Sequence, residues 1–185
     1  VDVCAHGALS LKGYRLAAGD VVARAERMAP FFRHSGGGIT LTGGEVTRQP
    51  EFAAAVLRAC RQRGIHTAVE TSGACPWSSL EVVVEDADLV LYDVKLADDE
   101  EHRRWTGSSD RQILSNLRRL PAARVQVRVP LIPAVTDTAP NLQAIFSLAA
   151  ELGIADVGVL PYNAAAGAKY EWLGLQYGLD RESQS

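Results

Sequence analysis

Residues 35–45 read SGGGITLTGGE. Three glycines halt what precedes them, Ile39-Thr40-Leu41-Thr42 forms a short β-branched strand, and Gly43-Gly44-Glu45 closes it. Two glycines at a strand end let a ligand approach bare backbone. Glu45, directly behind them, puts a carboxylate where a ligand ammonium group can meet it. Residues 43–45 are therefore the first candidate site.

Outward from this strand the pattern alternates. Upstream, Asp20 is positioned to cap a helix with Val21, Ala25, Met28 and Phe32 on one face. Downstream, Pro50 opens a helix that turns Phe52, Val56, Leu57 and Cys60 inward, and Gly64 ends it. Residues 65–71 read as a strand, 78–85 as a short helix, and 88–96 as the third strand. A helix over 110–120 carries Ile113, Leu114, Leu117 and Leu120, and 125–132 is a strand. Thr138 and Pro140 start a helix with Leu142, Ile145, Phe146 and Ala149, which Gly153 closes before a last strand at 156–162. Strands separated by helices at this spacing imply a parallel sheet, either an open doubly wound one or a barrel. Ligand sites in both lie at the carboxyl ends of the strands.

Composition narrows the function classes. The 185 residues are 47% hydrophobic and carry a net charge of -3, with Lys and Arg dispersed, which argues against a nucleic-acid surface or a membrane-surface role. No apolar run approaches the ~20 residues that span a bilayer. The three cysteines, Cys4, Cys60 and Cys75, are odd in number and far apart, so a disulfide framework is not expected and a cytoplasmic location is.

Polar residues fall regularly at the predicted strand ends: Gly43, Gly44 and Glu45; Glu70, Thr71, Ser72 and Gly73; Asp93 and Lys95; Arg128; and Pro161, Tyr162 and Asn163. Strand parity puts Asp93 and Lys95 on one face, and sets Gln126 and Arg128 opposite Val125, Val127 and Val129. Central parallel strands are expected to be buried on both faces, so Arg128 needs an anionic partner, either a ligand carboxylate or an acidic neighbour. Structural readings stand beside the functional ones. Asp93 could pair with Lys95, Glu45 could cap the segment after it, and Arg128 could belong to an ion pair. Cys60 reads as core, and the four histidines show no metal-ligand spacing. The three tryptophans show no base-stacking pattern and read as packing residues.

Together, GGGITLTGGE, VETSG, DLVLYDVK, VRVPLIP and LPYN with a following AKYEWLG, in this order over residues 4–173, resemble the glycyl-radical-enzyme activating enzymes of the radical S-adenosylmethionine superfamily, typified by pyruvate formate-lyase activating enzyme. The resemblance implies an α/β fold, a partial (β/α)6 TIM-like barrel of parallel strands. It also implies reductive cleavage of S-adenosylmethionine at a [4Fe-4S] cluster to a 5'-deoxyadenosyl radical, which abstracts hydrogen from a glycine of a partner glycyl radical enzyme. An electron donor such as flavodoxin or ferredoxin is implied as a second partner. By position, Gly43, Gly44 and Glu45 would hold the methionyl ammonium. Glu70, Thr71, Asp93 and the Leu91 carbonyl would form a monovalent-cation site beside the ligand carboxylate, Lys95 and Arg128 would contact the ligand, and Asn163 would lie near the adenine.

The chain departs from the pattern in one large respect. The Cys-x3-Cys-x2-Cys loop that holds the radical cluster is absent from the sequence. The barrel is expected to lack its first strand together with that loop, and the polar tail over 178–185 reads as frayed or cut off. Residues 1–12 resemble the end of a ferredoxin-like cluster insert in which Cys4 would ligate an auxiliary [4Fe-4S] cluster, and 13–185 the radical S-adenosylmethionine barrel. The chain alone is expected to be inactive. Smaller departures are Val46 and Ala134, where Pro and Gly are usual, and Glu70 in place of Asp. Two alternatives remain at this point: a barrel lyase forming a Schiff base on Lys95, and a non-catalytic barrel remnant.

Overall fold

The computed structural model describes residues 15–162, with Tyr170 and Gly174. Five strands form one parallel sheet in sequential order: β1 (Gly38–Leu41), β2 (His66–Thr71), β3 (Leu89–Asp93), β4 (Val125–Leu131) and β5 (Asp156–Pro161). Between and before them run α1 (Ala18–Ser35), α2 (Pro50–Arg61), α3 (Trp77–Val84), α4 (Asp99–Thr106), α5 (Arg111–Leu117) and α6 (Ala139–Glu151). A doubly wound sheet reverses its strand order at a switch point; this sheet does not. The α/β fold is therefore a segment of a (β/α) barrel, its helices outside and its strands curving round an interior.

Alternation along the strands explains which side the helices take. Val69 of β2 pairs in register with Val90 of β3, which pairs with Val125 of β4; Thr71, Tyr92 and Val127 form the next row. All of these are buried, and the apolar ones among them pack on Leu57, Leu80, Val83, Ile113, Leu117, Ile145 and Ala149 from the helices. Fully burying one such Leu, Ile or Val contributes roughly 1.5–3 kcal/mol, so this face carries most of the fold's stability. A second cluster, Val22 and Ala25 of α1 with Val56, Cys60 and Ile65, seats α1 on α2.

The residues between those buried ones form the other face. Glu70, Leu91, Gln126 and Asp156 lie in one register row, and Asp93 pairs with Arg128 and Arg128 with Gly158 in the next. Glu70, Leu91, Asp93, Gln126 and Arg128 are half-buried. The expectation that central strands are buried on both faces is corrected: among the described residues, helices cover one face only, and the other is the barrel's interior wall.

Local expectations hold with a few corrections. Asp20 sits inside α1, where its carboxylate accepts from the Ala17 N–H at 3.1 Å, so the cap is Ala17 and the helix begins three residues earlier than a cap at Asp20 would place it. Met28 and Phe146 are exposed; Val22 takes the inward place on α1. Helix α4 has no apolar stripe, and its start is set by Asp98, whose carboxylate accepts from the Glu100 and Glu101 N–H groups at 3.0 and 2.9 Å.

Candidate ligand site at the strand ends

Gly43, Gly44 and Glu45 follow β1 at its carboxyl end. Gly43 has φ +146, a conformation side chains rarely adopt, and an added Cβ at Gly43 or Gly44 would meet nothing within 4 Å. The two glycines border open space at the mouth of the barrel.

Glu45 is held by its neighbours. Its Oε1 accepts from the Thr71 hydroxyl at 2.7 Å, the Thr47 hydroxyl at 3.1 Å and the Thr47 N–H at 3.3 Å. Its Oε2 accepts from the Ser72 hydroxyl at 2.9 Å and the Ser72 N–H at 3.1 Å. Burial pushes the carboxyl upward, but the Thr71 and Ser72 hydroxyls and the Ser72 and Thr47 N–H groups more than offset it, and the pKa is lowered. The lowered pKa keeps the carboxylate ionised at neutral pH, and because every donor is neutral its charge is not cancelled. Glu45 also caps the one-turn helix Val46–Arg48, the structural role anticipated from its position. One side chain thus ties the end of β1 to the end of β2.

Arg128 forms a second cluster on the open face. Its guanidinium meets Glu70 at 2.6 Å and Asp93 at 3.0 Å, spanning β2, β3 and β4. Burial works against the cation, yet hydrogen bonds and charges from Glu70 and Asp93 raise its pKa. Acidic neighbours therefore supply the anion that Arg128 needs, and Asp93 pairs with Arg128 and not with Lys95. Lys95 is half-buried, and among the described residues its ammonium has no ion pair.

The expected cation set is divided by the sheet. Glu70 and Asp93 share the open face, whereas the Thr71 side chain points the other way, to Glu45 and to the Gly73 N–H at 3.0 Å. Asn163 and Cys4 lie outside the described residues, as do the proposed boundary at residue 12, His6 and Trp172. Sequence reading noted Ser72 without assigning it a role and passed over Thr47, which is buried beneath Glu45. The signal was spacing: a hydroxyl two residues after a turn acid, and another at the neighbouring strand end.

The loop after β2 is pinned from below. Buried Asn116 of α5 donates to the carbonyls of Gly73 and Cys75, each at 2.9 Å. The Tyr92 hydroxyl donates to the Ile113 carbonyl at 2.7 Å, and the phenol fills the space where a Cβ on Gly73 would sit. On the far side, Asn141 of α6 donates to the carbonyls of Lys95 and Thr136 at 3.0 and 2.8 Å and accepts from the Ala97 N–H at 3.0 Å, fixing the loops after β3 and β4.

Residues 4–141 match the Radical SAM superfamily. The chain belongs to the radical SAM superfamily. It is 44% identical over 95% of its length to the isethionate sulfite-lyase activating enzyme of Oleidesulfovibrio alaskensis, covering 58% of that protein. It is 34% identical to the pyruvate formate-lyase-activating enzyme of Clostridium pasteurianum, covering 90% of this chain and 71% of that one. These relatives set this radical SAM chain among the glycyl-radical-enzyme activating enzymes. A crystallised domain of a pyruvate-formate lyase-activating enzyme from Bacteroides vulgatus superposes with a TM-score of 0.62 at 29% identity, over 80% of this chain and 88% of that one. The chain spans somewhat over half the length of the isethionate sulfite-lyase activating enzymes it matches, 58% and 56%.

Membership implies S-adenosylmethionine and a [4Fe-4S] cluster. The residues fit the first: an ionised carboxylate, bare glycine backbone and an uncovered polar wall converge at the strand ends. They do not fit the second. Cys60 and Cys75 are buried, burial pushes both thiols up, and among the described residues no group of three His, Cys, Asp or Glu could hold a metal. No helix among them is long and apolar enough to cross a membrane.

Proposed function

We propose that this chain forms the S-adenosylmethionine-binding wall of a glycyl-radical-enzyme activase. The reaction is reductive cleavage of S-adenosylmethionine, followed by hydrogen abstraction from a backbone glycine of a partner glycyl radical enzyme, with flavodoxin or ferredoxin as the electron source. The observation that carries this reading is the Glu45 carboxylate, kept ionised by neutral donors at the glycine-lined mouth of a barrel wall, in a chain related to activating enzymes. The relatives' names refer to lyases of different chemistry, among them isethionate sulfite-lyase, pyruvate formate-lyase and choline trimethylamine-lyase. That variety supports one common radical-generating step serving different clients.

Within the site, Glu45 takes the ligand ammonium, and Gly43 and Gly44 allow its close approach. Lys95 and Arg128 face the ligand carboxylate, where a desolvated cleft strengthens each contact. A monovalent cation beside Leu91 would share Glu70 and Asp93 with Arg128, whose single positive charge offsets only one of their two negative ones. Asn163 serves the adenine end. Cys4 would ligate an auxiliary [4Fe-4S] cluster. The location is cytoplasmic.

The test is product formation. The natural protein, prepared under argon with iron, sulfide and a reductant, is expected to convert S-adenosylmethionine to 5'-deoxyadenosine and to raise a glycyl-radical resonance in its client. The 185-residue chain alone is expected to do neither. A cluster-loaded natural protein that yields no 5'-deoxyadenosine would leave the non-catalytic remnant as the better reading.

A further inference from the structure

Helix α5 lies on the outer layer, yet it reaches the barrel mouth through one loop. Asn116 is fully buried, and an amide in that position is costly unless its polar atoms are satisfied. Both of its N–H donors are engaged, to the Gly73 and Cys75 carbonyls, and its oxygen accepts from Gln112 at 3.0 Å. The second tether is Tyr92: its ring occupies the space beside Gly73, at φ +67, while its hydroxyl is anchored on the Ile113 carbonyl of the same helix. Between these tethers and the end of β2 stands Ser72, which presents its hydroxyl and its N–H together to Glu45 Oε2.

We propose that Ser72 and Asn116 are positioning residues for the ligand ammonium: Ser72 aims the Glu45 carboxylate through two hydrogen bonds, and Asn116 fixes the loop that carries Ser72. The inference rests on the reading of Glu45 as the ammonium partner. A glutamate has three side-chain torsions, and holding them before the ligand arrives removes that ordering cost from binding. Thr71 and Thr47 hold only Oε1, so losing the Ser72 hydroxyl leaves Oε2 with the Ser72 N–H at 3.1 Å alone and loosens the carboxylate's rotation about Oε1. A loop staple with a purely structural role would affect all ligands of the barrel alike, whereas an aiming device affects only the ammonium contact.

That difference makes the test. The natural protein, cluster-loaded and anaerobic, is titrated with S-adenosylmethionine and with its α-keto analogue, which lacks the ammonium. The ratio of the two affinities is the readout. Ser72→Ala is expected to lower that ratio roughly tenfold, the scale of a hydrogen bond to a charged group, leaving affinity for the keto analogue unchanged. Ser72→Thr, which keeps the hydroxyl, restores the ratio. Asn116→Asp lowers it in the same sense where the variant folds; Ser72→Ala decides the matter where it does not. Equal losses for both ligands, or an unchanged ratio in Ser72→Ala, overturn the inference. Glu45→Ala separates the two readings. If it abolishes the preference while Ser72→Ala does not, positioning alone has failed. If the preference survives Glu45→Ala, the ammonium reading of Glu45 has failed and the inference falls with it.

Discussion

On β3, Val90 and Tyr92 are 1% and 0% exposed, while their neighbours Leu91 and Asp93 stay half-buried. The same contrast runs across the sheet: Val69, Val127 and Val129 face the helices, and Glu70, Gln126 and Arg128 face the barrel interior. Both faces arise from one period-two pattern, but they answer to different demands. The helix-covered face is apolar and close-packed, so it tolerates neither charge nor loss of volume. The interior face carries charges of both signs paired across three strands, and a ligand can enter there without breaking the core. The fold's stability and its binding chemistry are thereby placed on opposite faces of the same strands.

The sharpest attempt to break this contrast puts one charge on each face. Val127→Asp buries an unpaired carboxylate and is expected to cost several kcal/mol, on the order of 4 or more, leaving little folded protein. Leu91→Asp, one strand away on the interior face, is expected to cost about 1 kcal/mol or less beyond the lost leucine contacts. Urea denaturation of the pair measures the difference, and equal losses would remove the distinction between the faces.

Next in size is Arg128→Met. It leaves Glu70 and Asp93 facing each other with no cation, at a cost of roughly 1–3 kcal/mol near neutral pH, below the figure for a fully buried pair because the site is partly open. Arg128→Lys, which keeps a cation between the two carboxylates, should lose less than Arg128→Met. Equal losses in the two variants would mean the guanidinium contributes packing and not charge.

Glu45→Gln addresses the strand-end cluster. The folded-state pKa of Glu45 lies below its ordinary value of 4.5. Its stabilising contribution is therefore complete above that value and lost as the pH falls through the folded pKa. The difference in stability between wild type and Glu45→Gln, about 1–2 kcal/mol, is expected to be flat above pH 5 and to close below pH 4.5. A difference that widens on acidification would contradict the depressed pKa.

The smallest effect belongs to Ala134. It has φ 58, in the left-handed region where glycine is at ease. Ala134→Gly removes the Cβ strain but adds chain entropy to the unfolded state, so the net gain should be a few tenths of a kcal/mol and at most about 1. Thermal unfolding reads it as a small rise.

Much of this was legible in the sequence because it rests on local rules. Alternation in DLVLYDVK and VRVPLIP separates Val90 and Tyr92 from Asp93, and Val127 and Val129 from Arg128, without any knowledge of neighbours. Pro50 starts α2 where it should. Ala134 reads in the sequence only as a departure from the usual glycine; its left-handed conformation comes from the structure. What stayed hidden depends on partners far along the chain. The Arg128 pairing joins β2, β3 and β4, and nothing in the local pattern chooses Arg128 over Lys95 for Asp93. The hold of Ser72 on Glu45 crosses 27 residues, and that of Asn116 on the β2 loop crosses 43. Helix α4 went unread because it lacks an apolar stripe and is started by the cap at Asp98.

The account stands on the Glu45 carboxylate as the partner of a ligand ammonium. Equilibrium binding of S-adenosylmethionine to the cluster-loaded natural protein, compared with its Glu45→Gln variant at neutral pH, tests it most directly. The account predicts a loss of roughly a hundredfold, the scale of a charge-assisted contact in a partly desolvated site; affinity equal to that of the wild type would contradict it.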